Sequence, residues 1–275
     1  MADKIYCYPN SDVLINKLGI KDEETLAQTE RDITSANKYI LDDSPIKGSF
    51  DITHLKAVHE HLFKDLYPWA GEFRTVDIQK GPTYFGYAQN IDSYLKDVLN
   101  KVKNENYLVG VSKSAMPERL AHYFGEINAM HPFREGNGRC QRAYTEMLAK
   151  VAGYSIDFSK ITEEQMLKAS YLSVHRSNDE LEKIFGQVIE PISREEQLAF
   201  ARKVLPPNDR VLKALESVAA RESGQKDVQE KNDSPESKHL SMTDWKRDIS
   251  AMKDKDIIGD GNKIIEKGLK GKFDR

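Results

Sequence analysis

Apolar residues recur at three- and four-residue spacing through most of the chain, the pattern of helices buried along one face. Leu120, Ala121, Phe124, Ile127 and Met130 mark such a face on a helix predicted over 117–130, with Pro117 in its first turn. Ala143, Met147, Leu148 and Val151 mark another that starts near 138 and stops at Gly153. Further helices are predicted at 25–40, at 53–66 (Leu55, Val58 and Leu62 on one face), at 92–102, at 162–174 with Thr162 as cap, at 178–189 and, shorter, at 211–220. Between 74 and 86 the pattern changes. Thr75, Val76 and Ile78 suit a strand, Lys80-Gly81-Pro82 a turn, and Tyr84-Phe85 a return strand. The prediction is a mainly helical protein with one β-hairpin.

Composition changes this picture in the last quarter. The stretch 221–238 is polar apart from Val228 and reads as a flexible linker. The stretch 242–275 sets Trp245, Ile249, Ile257, Ile258, Ile264 and Ile265 among many charges and receives no role. A formal net charge of −3 gives no sign of a nucleic-acid binder. There is no apolar run of the roughly 20 residues that a membrane span needs. The N-terminal segment lacks the apolar core of a secretory signal, and Cys7 and Cys140 as the two cysteines suggest a reducing, cytoplasmic compartment. His54, His59 and His61 lie on one predicted helix, but without an acidic or cysteine set at ligand spacing they suit helix-face and packing roles better than a metal.

The chemistry concentrates in residues 131–142, HPFREGNGRCQR. Pro132 disfavours helical angles at His131, so the preceding helix ends there and the imidazole sits at the lip of a loop. Gly136 and Gly138 allow tight turns and close approach of a ligand to the main chain. The loop feeds a helix N-terminus, where free N–H groups and the helix dipole favour an anion. Arg139 and Arg142, three apart, share a face of the first turn and can fork onto phosphate oxygens. Glu135 beside such a site would repel phosphates unless a magnesium ion bridged them. His131 has the ordinary pKa for taking a proton from an incoming hydroxyl. Cys140 inside the motif reads as a packing residue.

This stretch resembles the signature of the Fic (Fido) family, H-x-F-x-[D/E]-G-N-G-R-x-x-R, at each specified position: His131, Phe133, Glu135, Gly136, Asn137, Gly138, Arg139 and Arg142. The segment 59–74, HEHLFKDLYPWAGEFR, resembles the approach to that family's hairpin flap. The resemblance covers roughly residues 50 to 190. It implies a Fic-fold helical bundle with a β-hairpin flap over the active site. The domain reading becomes an N-terminal helical extension (1–50), a catalytic domain (51–190), a helical extension (191–220) and a polar linker and tail (221–275).

The resemblance also implies the reaction: transfer of AMP from ATP, as co-substrate, to a Ser, Thr or Tyr hydroxyl of a target protein. His131 would deprotonate the hydroxyl. Glu135 would hold Mg2+ between the α- and β-phosphates. Gly136, Asn137 and Gly138 would cradle the phosphates, with the Asn137 amide taking part. Arg139 would offset leaving-group charge and Arg142 would hold the γ-phosphate, while Phe133 anchors the loop in the core. The target segment would add as a strand to the flap, where Lys80 and Gly81 would also approach the nucleotide, although Lys80 reads equally well as a solvated turn residue. Retention of Gly138, which the phosphorylating Doc branch replaces with Lys, favours AMP transfer. The alternatives are another Fic-fold phospho- or nucleotidyl-transferase, or a nucleotide-binding module without turnover.

Many members of the family are inhibited by a helix carrying S/T-x-x-x-E-[G/N], whose Glu pairs with the second signature arginine. Ser114/Glu118 and Ser159/Glu163 have the first spacing, but Arg119 and Glu164 follow, so neither completes the motif. A separate small antitoxin with a Glu-bearing helix reaching Arg142 is therefore the expected partner. The implied setting is a bacterial toxin or an effector delivered into another cell, and the targets suggested by the resemblance are subunits of DNA gyrase and topoisomerase IV.

Overall fold

A computed structural model of the chain describes residues 5–229. The order is α1 (Glu23–Asp43), α2 (Ile52–Phe63), a hairpin of β1 (Gln79–Lys80) and β2 (Thr83–Tyr84), α3 (Ile91–Asn104), α4 (Met116–Met130), α5 (Asn137–Ala152), β3 (Tyr154–Ile156), α6 (Glu163–His175), α7 (Asp179–Val188), β4 (Ile189–Pro191), α8 (Arg194–Val204) and α9 (Arg210–Gln229). The mainly helical, hairpin-bearing expectation holds.

The bundle is built around α4 and α5. Helix α4 packs on α3, α5, α6 and α7, and α5 packs on α2 and α8 as well. The reason is in the sequence: α4 buries Leu120, Ala121, Phe124, Ile127 and Met130, and α5 buries Cys140, Ala143, Tyr144, Met147, Leu148 and Val151. Each large apolar side chain so buried contributes about 1.5–3 kcal/mol. The termini follow their sequence signals. Asp22 and Asp51 cap α1 and α2 by accepting from Thr25 and His54 N–H groups, and Thr162 forms a capping box with Gln165. Gly153 ends α5 in the left-handed region at φ 97°.

Three departures from the sequence reading have physical causes. The hairpin is shorter and tighter than expected: Lys80 pairs with Thr83, Gln79 with Tyr84, and Gly81-Pro82 forms the turn with Gly81 at φ 56°. Residues 75–76 do not enter a ladder, because the Tyr6 hydroxyl accepts from the Thr75 N–H and the Arg74 guanidinium donates to the Val76 carbonyl. The second departure is the small antiparallel pair of β3 and β4, which escapes a periodicity test because each strand has three residues. The third is α9, which continues to Gln229 through the first part of the expected linker. Its first turns bury Val211, Leu212, Ala214 and Leu215, and ion pairs Arg202–Glu216 and Arg194–Glu222 tie it to α8. Its polar residues (Glu, Gln, Lys) are good helix formers, so polarity did not bar a helix. The rest of the linker and the 242–275 segment lie outside the described residues.

Among the described residues, no helix is long and apolar enough to cross a membrane.

Candidate active site

The connection between α4 and α5 forms the site. His131 caps α4 in the left-handed region, φ 45° and ψ 63°, a conformation uncommon for a residue with a Cβ. Its ring stacks on Phe85, the residue just after β2, at 3.9 Å between centroids and 15° between planes. Nδ1 is buried without a well-formed hydrogen bond, which leaves Nε2 as the nitrogen able to meet a substrate. Burial pushes the imidazole down to about 3, and the Lys80 and Arg74 charges add to this against the pull of the Asn128 carbonyl. His131 is therefore neutral, the state a base requires.

The loop is braced by groups packed into the protein. Phe133 is buried and stacks on His59 at 3.8 Å, which makes it the core anchor expected of it. His59 takes the Gly71 N–H at Nδ1 and contacts the Glu135 carbonyl through Nε2, 3.0 Å away. The Asn137 side chain accepts from Phe133 N–H and donates to the Phe133 carbonyl, at 2.9 and 2.8 Å. It was expected to add its amide to the phosphate cradle. In this structure that amide is buried and closes the turn that holds the cradle in shape. Gly136 stands at φ 78°, and a Cβ there would lie 2.1 Å from the Phe63 ring.

Helix α5 starts at Asn137, so the N–H groups of its first turn have no intrahelical acceptor. Arg142 folds back over this end, and its Nη1 would lie 3.4 Å from a Cβ placed on Gly138. It forms no hydrogen bond or ion pair among the described residues, and desolvation, with Arg139 adding, lowers its pKa despite Glu146. Arg139 is differently placed. Its guanidinium is paired with Glu30 of α1, donates to Thr34 at 3.2 Å, and lies over the Phe63 ring at 4.9 Å. The Glu135 carboxylate is half-exposed, 3.6 Å from Arg139, and accepts the Gly136 N–H at 2.8 Å. Lys80 and Gly81 are exposed on the hairpin, and Lys80 is close enough to influence His131 electrostatically.

The sequence reading missed Glu30 and Thr34, because nothing in α1 marks which of its polar residues turn inward. It also left Arg74 without a role. Arg74 is 2% exposed and donates to the carbonyls of His131, Met130, Val76 and Gly86. The three-histidine helix holds no metal cluster. His54 accepts from Phe50 N–H, His59 has the contacts above, and His61 contacts the Asn37 carbonyl. Among the described residues no group of three or more potential ligands gathers. Cys140 is fully buried against the Leu55 carbonyl, consistent with packing.

A helical bundle that presents a part-buried neutral imidazole, an open helix N-terminus and an arginine unpaired among the described residues, all at one loop, is an enzyme scaffold for phosphate-bearing substrates. The Fic/DOC family model matches residues 49–149. The chain is 34% identical over 195 residues to the probable protein adenylyltransferase Fic of Escherichia coli K12, covering 69% of this chain and 96% of that protein. It is 38% identical over 174 residues to the protein adenylyltransferase VbhT of Bartonella schoenbuchensis, covering 63% of this chain. The matched region spans only 36% of that longer relative.

Solved structures agree. A Fic domain from Bartonella quintana with bound ADP superposes with a TM-score of 0.66 at 30% identity, over 68% of this chain and 95% of that one. BepC of Bartonella tribocorum with bound AMPPNP gives 0.66 at 26%, over 68% and 97%. The chain belongs to the Fic/DOC family, and the protein adenylyltransferases are the enzyme class in which it falls.

Proposed function

We propose that this chain transfers AMP from ATP to a Ser, Thr or Tyr hydroxyl of a target protein. The observation that carries the reading is Arg142: a part-buried guanidinium with no hydrogen bond or ion pair among the described residues, folded over the open N-terminus of α5. A desolvated cation of this kind is stable in proportion to the anion it meets.

The residues present supply the steps. The target strand lies along the hairpin, its backbone pairing fixing the hydroxyl near His131. Nε2 of His131 takes the hydroxyl proton as the oxygen forms a bond to the α-phosphorus. The bond from that phosphorus to the oxygen bridging to the β-phosphate breaks, and pyrophosphate departs with the electron pair. The α5 N–H groups and Arg139 offset the charge that develops on the leaving group, and Arg142 holds the γ-phosphate. Asn137 keeps the loop in shape, while Lys80 and Gly81 border the nucleotide from the hairpin. A single half-exposed carboxylate beside a phosphate site is the donor set that magnesium uses, together with phosphate oxygens and water. Glu135 fits as its protein ligand. Bound there, Mg2+ would neutralise phosphate charge.

The finer reading is a bacterial toxin or effector. Several solved relatives are described as effectors translocated by a VirB system, which supports delivery into another cell. We propose control by a separate small antitoxin. No described carboxylate pairs with Arg142, and neither candidate inhibitory motif is complete, so an external Glu has a free guanidinium to occupy. DNA gyrase and topoisomerase IV subunits are proposed as targets on the family resemblance. The domain reading stands as a proposal in the same sense, with catalysis in 51–190.

The test is ATP labelled at the α-phosphate, mixed with the protein, magnesium and bacterial lysate, or with purified topoisomerase subunits. A labelled protein band, absent with γ-labelled ATP and with His131→Ala, is expected. Label from the γ-position would replace the reading with phosphotransfer.

A further inference from the structure

We infer that Arg74 is a positioning residue that locks the hairpin to the His131 loop, so that the edge receiving the target and the base that acts on it move as one body. The inference rests on the proposed AMP transfer for its catalytic consequence, though not for the clamp itself.

The geometry is specific. An α-helix ends with carbonyls that lack intrahelical partners. At the end of α4 two of these, on Met130 and His131, accept from the Arg74 Nη2 and Nε, at 3.0 and 2.9 Å. The same guanidinium donates to Val76 before β1 and Gly86 after β2, the two bases of the hairpin. Its planar fork suits four acceptors in different directions, which an ammonium on a flexible stem does not match. Backbone bonds run in parallel: Arg74 N–H donates to the Pro132 carbonyl and Gly86 N–H to the Ala129 carbonyl, both at 2.9 Å.

The arrangement is unusual for a buried cation. Its nearest carboxylate, Asp77, is largely exposed and 3.9 Å away. Burial lowers the Arg74 pKa, so the charge is held by carbonyls and by the negative end of the α4 dipole. Such a group has its full set of partners only when hairpin and loop are both in place. Phe85 lies between Tyr84 and the Arg74-bound Gly86, and it carries the ring stacked on His131. Fixing Gly86 therefore fixes that stack.

The test combines Arg74→Lys with hydrogen exchange of the unmodified protein. In the unmodified protein the amides of Arg74, Phe85 and Gly86 should open together, with a common exchange rate. In Arg74→Lys the Phe85 and Gly86 amides should exchange at least tenfold faster while AMPPNP affinity stays within about twofold. Transfer of α-labelled AMP into lysate protein should fall by about 100-fold, the scale of a roughly 1 Å misplacement of reacting groups. The loss should appear mainly in kcat, and independent exchange of the three amides, or unchanged hairpin exchange in the variant, would overturn the clamp. Loss of AMPPNP binding in step with transfer would reduce Arg74 to general support of the fold and also overturn it. Should the unmodified protein transfer no label, the proposed reaction fails, and the exchange data alone decide the clamp. If Arg74→Lys does not fold, the common opening of the three amides in the unmodified protein decides it.

Discussion

Glu30 of α1 holds the guanidinium of Arg139 beside the open N-terminus of α5, and the Tyr67 hydroxyl donates to the same carboxylate. An arginine proposed to meet phosphate is thus already ion-paired, whereas its neighbour Arg142 has no ion pair among the described residues. The pair orients Arg139 and also sets a negative charge near the place where phosphates would enter. Glu30→Gln keeps the hydrogen-bonding shape and removes the charge. We expect AMPPNP to bind severalfold more tightly to this variant and AMP transfer to slow, because an amide orients the guanidinium less firmly than a carboxylate. Titration calorimetry checks the first, and weaker binding would show that orientation outweighs competition.

Arg142 should respond in the opposite sense. Among the described residues it has no ion pair or hydrogen bond to lose, only the longer-range attraction of Glu146 and Glu163, and its burial carries a desolvation cost. Arg142→Ala should leave the thermal midpoint unchanged or raise it, while ATP affinity drops by roughly tenfold or more, in line with loss of a charge-assisted contact of about 1.5–3 kcal/mol. Arg142→Lys should recover only part of the affinity, since it lacks the fork. A clear loss of stability in Arg142→Ala would mean that the side chain supports the fold, and would weaken the reading that it awaits an anion.

The contrast between the two arginines also marks what the sequence could express. The signature loop was legible because its parts are local: His131, Gly136 and the two arginines lie within one loop and one helical turn. Helix positions were legible from apolar spacing, as α4 and α5 show. Partners brought in by tertiary packing were not. Glu30 and Thr34 belong to a helix whose polar residues look alike until α1 is laid on α2 and the start of α5. Arg74 carries no motif of its own, and its role depends on four carbonyls that converge only in the fold. The hairpin turn was found but its first strand was drawn too long, because a side-chain bond to Val76 replaces the ladder that β-propensity suggested.

Acid should unfold this protein earlier than its composition suggests. His54 and His59 are each held as neutral rings: Nδ1 accepts a backbone N–H, from Phe50 and Gly71 respectively, and Nε2 faces a carbonyl. A proton added at Nδ1 would break that acceptor, and burial lowers both rings from 6.5 to about 4. Since the unfolded chain binds these protons more readily, the stability they support is complete above about pH 6.5. It is lost as pH falls toward about 4. Each ring should cost on the order of 2 kcal/mol by pH 5, and His131, lowered further to about 3, adds in the same direction. Urea midpoints at pH 7.5 and 5.0 test this. Equal midpoints would show that the rings accept protons within the fold.

Gly136 and Gly138 flank Asn137 but should differ sharply when replaced by alanine. Gly136 stands at φ 78°, where a Cβ costs about 1–2 kcal/mol, and that Cβ would fall 2.1 Å from the Phe63 ring. Phe63 also supports Arg139, so moving the ring disturbs the proposed phosphate site. Gly136→Ala should lose roughly 3 kcal/mol or more once strain and overpacking combine. Adding Phe63→Leu should recover the part due to the clash and leave the part due to backbone strain. Gly138 has no left-handed requirement, and a Cβ there meets only Arg142 Nη1 at 3.4 Å. Gly138→Ala should therefore keep its stability and leave Arg142 in place, since the Cβ only touches the guanidinium, and should lose ATP affinity only by filling space in the proposed phosphate cradle. Urea denaturation and AMPPNP titration of the three variants check the set. A Gly136→Ala protein as stable as the parent, or a double variant restored completely, would contradict this division between backbone strain and ring contact.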